Sequence, residues 1–215
     1  MRTLADVAVE AAGCTKCRLA SGRTQVVFGV GNPDADLLFV GEAPGFHEDK
    51  QGEPFVGAAG QLLTRMLREV LGREREDVYI CNVLKCRPPG NRDPQDDEID
   101  ACTPWLIEQV SLIQPRVIST LGNFATKFVL NTQQGITRMR GRTYAWHGRT
   151  VIPTFHPAAI LHGGGERSRQ FGELVEDFEL IRDTLAALER PPEPVVVPGA
   201  AAGAPAEAED QLQLF

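Results

Sequence analysis

Four of the five cysteines in this 215-residue chain are spaced like the ligands of a metal site. Cys14 and Cys17 are separated by two residues, and Cys86 and Cys102 lie far downstream with fifteen residues between them. Four thiolates in a chain without a secretion signal indicate metal or iron–sulfur ligation rather than two disulfides. Zinc and an iron–sulfur cluster use the same ligands, so the cysteines alone leave both open. Cys81 stands inside an apolar run, where a small buried side chain is the plain interpretation.

A second group of polar residues falls at the ends of predicted strands. The turn Gly41–Gly45 follows one strand, Asn82 closes another, and His156 follows a third. In an open parallel sheet, a ligand binds beyond the carboxyl ends of the strands. Each of these features alone has an ordinary structural interpretation, as a turn, a strand amide or a packed imidazole. Their coincidence at one edge of the sheet predicts a single binding crevice.

The strands are predicted from short apolar runs at 36–40, 78–82, 116–121 and 150–155. Their near-continuous hydrophobicity indicates strands that are covered on both faces. Alternation of these strands with helices predicts an α/β fold, namely a three-layer α/β/α sandwich with a central, mostly parallel four-stranded sheet.

Helical periodicity predicts three long helices. The first spans 59–71 and ends before Gly72, and the last carries apolar residues from 171 to 188. The middle helix is predicted to open at Asp93 and Pro94 and to reach residue 113. Pro104 is expected to kink or split that helix near Cys102, because proline removes a backbone hydrogen bond.

Composition favours one folded domain over residues 1–190. The chain has 42% hydrophobic and 24% charged residues, and its formal net charge is -7. Residues 191–215 are rich in proline and alanine and carry four acids and no base, so we expect a flexible tail there. Without these residues the chain has 25 acidic and 22 basic residues. This balance is compatible with basic residues scattered over the surface and equally with a basic cluster. No apolar stretch is long enough to be the core of a signal peptide or a membrane helix. The sequence therefore predicts a cytosolic protein without membrane contact.

Four segments together resemble a known family. They occur in the family's order, together with its four-cysteine spacing, and the similarity runs from about Cys14 to Leu188. The chain resembles the family 4 uracil-DNA glycosylases, the iron–sulfur branch of the uracil-DNA glycosylase superfamily. The segments are Gly41–Gly45, Glu53–Gly57, Asn82–Pro89 and His156–Ala159.

The resemblance implies an enzyme that removes uracil from DNA by hydrolysis and leaves an abasic site, the first step of base excision repair. It implies that Phe55 stacks on a flipped-out uracil and that the Asn82 amide reads its edge. His156 is the expected donor to uracil O2, and Glu42 is expected to handle the attacking water. Glu48 is expected to close the pocket around uracil C5, although an acidic loop residue is often simply solvated. The remaining expected substrate contacts are Gly41, Ala43 and Gly45.

The resemblance also implies a 4Fe-4S cluster bound by Cys14, Cys17, Cys86 and Cys102, with a structural task. The loop after His156 is expected to enter the minor groove of uracil-containing DNA, with Ile160 or Leu161 as a wedge. Phosphate contacts are expected from Lys85, Arg87, Arg167 and Arg169.

Two alternative functions and one further partner are also compatible with the sequence. A superfamily member that captures uracil covalently uses a histidine on a basic insertion after the third cysteine, but residues 87–94 contain neither. A non-catalytic, zinc-based nucleic-acid-binding module is the alternative from another class. The C-terminal Gln211–Phe215 resembles the peptide by which bacterial repair proteins bind the sliding clamp, and short motifs of this kind also arise by chance. We expect a monomer in the bacterial cytosol.

Overall fold

A six-stranded sheet forms the centre of the protein. The computed structural model describes residues 2–189, so the predicted tail and its clamp-binding peptide lie outside the described residues. The strands are arranged in the order β1-β3-β2-β4-β6-β5. Their bounds are β1 Val30–Gly31, β2 Leu37–Gly41, β3 Tyr79–Asn82, β4 Val117–Leu121, β5 Tyr144–Trp146 and β6 Arg149–Thr154.

The four predicted strands are confirmed as the parallel centre of this sheet. β3, β2, β4 and β6 pair in parallel, whereas β1 and β5 add antiparallel edges. The prediction of four strands missed both edges, because segments of two and three residues carry too little pattern to be recognised. The predicted α/β class and mostly parallel sheet are confirmed.

Eight α-helices surround the sheet within residues 2–189. None of them is both long and apolar enough to cross a lipid bilayer. A π-helical turn, Leu67–Leu71, extends α3 to the left-handed Gly72. The helices are α1 Leu4–Ala12, α2 Phe46–Gln51, α3 Ala58–Met66, α4 Asp96–Ile113, α5 Gly122–Leu130, α6 Ile136–Met139, α7 Pro157–His162 and α8 Arg169–Glu189.

Side chains of β2 show how the sheet is buried on both faces. Leu37 and Phe39 belong to a core with α3 and α8, and the Phe39 ring stacks on Phe178 with centroids 5.7 Å apart. Leu38 and Val40 point to the opposite core, which α4 and α5 cover. This alternation follows from the two-residue period of a strand. The result is the predicted three-layer sandwich.

The middle helix differs from its prediction at two points. It begins at Asp96 rather than at Asp93 and Pro94, because the buried Glu98 carboxylate accepts the Gln95 N–H at 3.0 Å and closes the first turn there. It also continues through Pro104 without being split. Pro104 and Asp100 are both exposed, so water can satisfy the Asp100 carbonyl that the proline leaves without an amide donor.

Candidate active site

A cleft of about 420 Å³ opens at the carboxyl edge of the parallel strands. It brings together the residues that the sequence placed at three different strand ends: the turn after β2, the last residue of β3 and the residue after Phe155. The predicted convergence at one crevice is therefore present. The lining residues are Glu42, Ala43, Pro44, Gly45, Glu48, Phe55, Ala59, Asn82, Pro88, Asn91, Arg92, His156, Ala158 and His162.

Asn82 presents an unpartnered amide to this cleft. Its side chain is 2% exposed, yet within residues 2–189 its amide forms no hydrogen bond. The parallel register places Asn82 opposite Gly41, where a Cβ atom would lie 2.3 Å from Asn82 Oδ1 and 2.8 Å from the Phe55 ring. Gly41 thus has a steric task, since any larger residue would push the amide and the ring out of place. The amide faces the cleft without a protein partner, so it is available to a ligand there.

His156 is held as a neutral imidazole with one defined tautomer. It caps the N-terminus of α7, and its Nδ1 accepts the Ala158 N–H at 3.1 Å. The remaining nitrogen, Nε2, therefore carries the proton and is a donor. Burial lowers the His156 pKa to about 4, against a smaller opposing influence of Glu48. The Phe55 ring stacks on the imidazole with centroids 5.5 Å apart.

Phe55 lies in a strained loop that hydrogen bonds from two charged side chains hold in place. Its φ angle of 55° is in the left-handed region, which costs energy for a residue with a side chain. Glu48 Oε1 accepts the N–H groups of Val56 and Gly57 at 3.0 and 3.1 Å. Arg75 donates to the Phe55 carbonyl at 3.2 Å and to the Pro54 carbonyl at 2.8 Å. No sequence pattern pointed to Arg75, because an arginine twenty residues away reaches this loop only in the fold.

Glu42 lines the cleft with a carboxyl group that forms no hydrogen bond within the described part of the chain. Burial raises its pKa, and the negative charge of Asp93 raises it further. The group is therefore available to a water molecule or a ligand in the cleft.

One wall of the cleft comes from the segment between the last two cysteines of the quartet, and the predicted substrate contacts did not include it. Asn91 and Arg92 lie in this wall. Arg92 forms an ion pair with the buried Glu98, with Nη2 and Oε1 2.5 Å apart, and the Arg87 Nε donates to Asn91 Oδ1 at 2.7 Å. The sequence analysis predicted only a phosphate contact from Arg87 in this segment, and the fold shows that the segment lines the cleft.

Two of the predicted DNA contacts are wrong. Lys85 is 1% exposed and donates to the Asn82 carbonyl and to Gln109, so it cannot reach a phosphate. Ile160 is fully buried in the core beside α3, because the helical turn of α7 points it inward. Its neighbour Leu161 is 42% exposed and remains the candidate wedge.

The other predicted DNA contacts are accessible. Arg167 and Arg169 are exposed, and Arg169 forms an ion pair with Glu173 at 3.0 Å. Arg87 is half-buried, and its guanidinium lies 5.1 Å from the centroid of the Phe46 ring.

The four predicted metal ligands line a second pocket, outside the sheet. Cys14 and Cys17 follow α1, Cys86 follows β3, and Cys102 lies on α4. Between residues 2 and 189, no three histidine, cysteine, aspartate or glutamate side chains converge as ligands of a metal ion. Cys81, by contrast, is fully buried in the sheet, as predicted.

The cysteine pocket contains several groups that suit bound sulfur. Arg23 Nη1 lies 3.6 Å from Cys86 Sγ, and the Lys85 N–H donates to Cys102 Sγ at 3.2 Å. Trp105 lines the same pocket, and its indole N–H is buried with no partner among the described residues. N–H donors and a positive charge around four thiols fit an anionic sulfur-rich group better than a neutral packed core.

Comparisons with known proteins show the family of this chain. A sequence model described as the Uracil DNA glycosylase superfamily matches residues 28–179. A type-4 uracil-DNA glycosylase from Sulfurisphaera tokodaii is 48% identical over 191 residues, which are 85% of each chain. The type-4 enzyme from Archaeoglobus fulgidus is 49% identical over 84% of this chain and 92% of its own. The type-4 enzyme from Thermotoga maritima is also 49% identical, over 77% of this chain and 86% of its own. The chain therefore belongs to the uracil-DNA glycosylase superfamily and, within it, to the type-4 uracil-DNA glycosylases.

Proposed function

We propose that this protein is a DNA glycosylase that holds a flipped-out uracil in the cleft and hydrolyses the bond between the base and deoxyribose. The observation that carries the proposal is that the unpartnered amide of the buried Asn82 lines the same cleft as the neutral imidazole of His156. Family membership supplies the substrate class. The alternatives of a non-catalytic zinc module and of a covalent uracil-binding protein are not favoured, since these three relatives, each matched over most of its length, are named as glycosylases.

The Asn82 amide suits uracil and disfavours cytosine. Its oxygen would accept from uracil N3–H and its NH₂ group would donate to uracil O4. Cytosine offers an acceptor and a donor at these two places, so both pairs would be mismatched in a buried site. Phe55 would stack on the base, and Gly41 leaves the space that this arrangement needs.

His156 would stabilise the leaving base. As the glycosidic bond lengthens, negative charge gathers on the uracil ring and especially on O2. The Nε2–H of the neutral imidazole would donate to this oxygen, with the backbone of the Gly41–Gly45 turn, Ala43 included, nearby. One preorganised donor of this kind typically contributes about 3 to 4 kcal/mol to the transition state.

Glu42 and Glu48 would have different tasks. Glu42 would orient the attacking water and offset the positive charge on the sugar, because it has no protein partner in the described chain. Glu48 would have two tasks. Its Oε1 supports the Phe55 loop, and its side chain would also exclude the methyl group of thymine near uracil C5.

The cysteine pocket would hold a 4Fe-4S cluster. Cys14, Cys17, Cys86 and Cys102 would be its ligands, with Arg23 and the N–H groups of Lys85 and Trp105 around them. A bound cluster supplies cross-links between chain segments and, in other proteins, electron transfer. We assign it the first of these tasks, because Cys86 and Cys102 bracket the segment that forms a wall of the cleft.

DNA would be held at the mouth of the cleft. Leu161 would enter the gap that the flipped nucleotide leaves, and Arg167 and Arg169 would contact phosphates, with Arg87 beside them.

Incubation with a uracil-containing oligonucleotide, followed by alkaline strand scission, tests the proposal. We expect cleavage by the wild type and a strong loss with Asn82→Ala. A matched oligonucleotide with cytosine in place of uracil should stay intact. Absence of cleavage by the wild type would refute the enzyme.

The C-terminal peptide Gln211–Phe215 lies outside the described residues, and we propose it as a sliding-clamp ligand on its sequence alone. Deletion of these five residues should abolish binding to the bacterial clamp and leave uracil excision unchanged. Equal clamp affinity of the full and shortened chains would remove this partner.

A further inference from the structure

Lys85 is a buried lysine at the junction of the two pockets. Its side chain is 1% exposed, and its Nζ donates to the Asn82 carbonyl at 2.6 Å and to Gln109 Oε1 at 2.5 Å. Its backbone N–H donates to Cys102 Sγ at 3.2 Å. Burial of a lysine amine is unfavourable unless hydrogen bonds compensate for the lost water.

Gln109 is held so that its oxygen faces Lys85. It is fully buried on α4, and its Nε2 donates to the Phe28 carbonyl at 2.8 Å. An amide that donates from its nitrogen in this way leaves its oxygen for the Lys85 amine. A chain of hydrogen bonds therefore runs from the Phe28 backbone through Gln109 and Lys85 to the backbone of Asn82.

The direction of the Asn82 side chain follows from its backbone and its packing. Within residues 2–189 its amide forms no hydrogen bond, so its direction is set by its backbone and by packing against Gly41 and Phe55. Backbone bonds from Val83 and Leu84 to the turn after β2 fix the segment on one side, at 2.9 and 3.0 Å. The Asn82 carbonyl is fixed on the other side by Lys85.

We propose that Lys85 is a positioning residue for the base-reading amide of Asn82, and that Gln109 in turn positions Lys85. The proposal rests on the proposed function of the cleft. Lys85 does not touch the substrate and acts only through Asn82. A merely structural role would instead lower stability without any special relation to Asn82.

A double-mutant cycle separates these possibilities. We expect Lys85→Met to weaken binding of free uracil and to lower kcat/KM on a uracil-containing oligonucleotide, each by about tenfold, since a buried carbonyl loses its donor. In the Asn82→Ala background, Lys85→Met should cause little further loss. Additive effects of the two substitutions, or wild-type uracil binding by Lys85→Met, would overturn the proposal.

Controls address folding and the cysteine pocket. Ser119→Ala removes another buried polar group from the sheet, one without a partner among the described residues, and should leave uracil binding unchanged. Iron content and the melting temperature are measured for every variant, because Lys85 also contacts Cys102. If Lys85→Met does not fold, Gln109→Leu replaces it in the same cycle, with a smaller loss expected and the same dependence on Asn82. Inactivity of the wild type would instead refute the proposed function itself.

Discussion

The cleft and the cysteine pocket are built from different parts of the fold. Gly41 and Asn82 are paired at the ends of the adjacent parallel strands β2 and β3, and His156 follows β6, which β4 separates from β2. The sheet thus sets the relative positions of Gly41 and Asn82, and the start of α7 places His156. The cysteines come from chain segments outside the sheet, and the covalent chain does little to hold them together. The cleft is therefore shaped by the sheet, whereas the cysteine pocket needs a ligand to tie its segments.

Burial has opposite consequences for the chemistry of the two regions. In the cleft it lowers the His156 pKa to about 4 and keeps the imidazole neutral, which is the form that the proposed mechanism uses. In the cysteine pocket it raises the Cys86 pKa to about 11, and it also raises the pKa of Cys102. Thiolate ligation there would need the positive charge of a metal, so binding of the proposed cluster would release protons and would be coupled to folding.

The largest expected effect concerns the cysteine pocket. Cys102→Ser should lose the iron–sulfur absorbance and lower the free energy of unfolding by about 5 kcal/mol or more, since metal binding contributes directly to folding. Denaturant unfolding measures this loss. Cys81→Ala is the matched control, because Cys81 is buried but lies in the sheet. If Cys102→Ser had the stability of the wild type but no bound iron, the cysteine pocket would not need a ligand to hold its segments together.

His156→Ala should affect the cleft alone. We expect kcat to fall by about 10²- to 10³-fold, because the proposed donor to the leaving base is lost. Iron content and the denaturation midpoint should change little. Single-turnover kinetics on a uracil oligonucleotide measures the chemical step. A fall in kcat of less than about fivefold would indicate that the backbone of the Gly41–Gly45 turn, and not His156, stabilises the leaving base.

Phe55→Ala should weaken substrate binding by roughly 10- to 100-fold, since stacking of a base on an aromatic ring contributes about 1 to 3 kcal/mol. Phe46→Ala is the matched control, because Phe46 is 45% exposed and does not line the cleft. Titration of free uracil compares the two variants. Equal losses for both would indicate that Phe55 serves the loop and not the base.

The smallest expected effect is a dependence of stability on pH. The His156 pKa is lower in the folded protein than its ordinary value of 6.5, so folding favours the neutral imidazole. This contribution is present above pH 6.5 and is lost as the pH falls toward about 4. We expect a loss of about 1 to 2 kcal/mol over this interval, less than the full linkage value because the His156 side chain lines the open cleft and is only intermediate in exposure. Between pH 6.5 and about 4, the free energy of unfolding should fall more steeply with decreasing pH for the wild type than for His156→Gln, and parallel curves would contradict the assignment.

The sequence determined the central sheet and the cleft because both follow from local patterns. Apolar runs of about five residues marked the four parallel strands, and a parallel sheet necessarily brings their carboxyl ends together. The pattern of apolar runs and polar strand ends was therefore sufficient to place Gly41, Asn82 and His156 in one crevice. The edge strands β1 and β5 and the start of α4 were beyond this reasoning, because short pairings and a buried capping carboxylate depend on distant partners.

Only the tertiary structure decided the tasks of residues whose partners lie far along the chain. The sequence placed Lys85 among the DNA contacts, but the fold buries it against Gln109, 24 residues away, and beneath Asn82. The fold likewise turns Ile160 inward and brings Arg75 to the Phe55 loop. The local sequence around a charged or apolar side chain is the same whether that side chain lies on the surface or in the interior. Which of the two occurs depends on the groups that the packed helices bring within hydrogen-bonding distance.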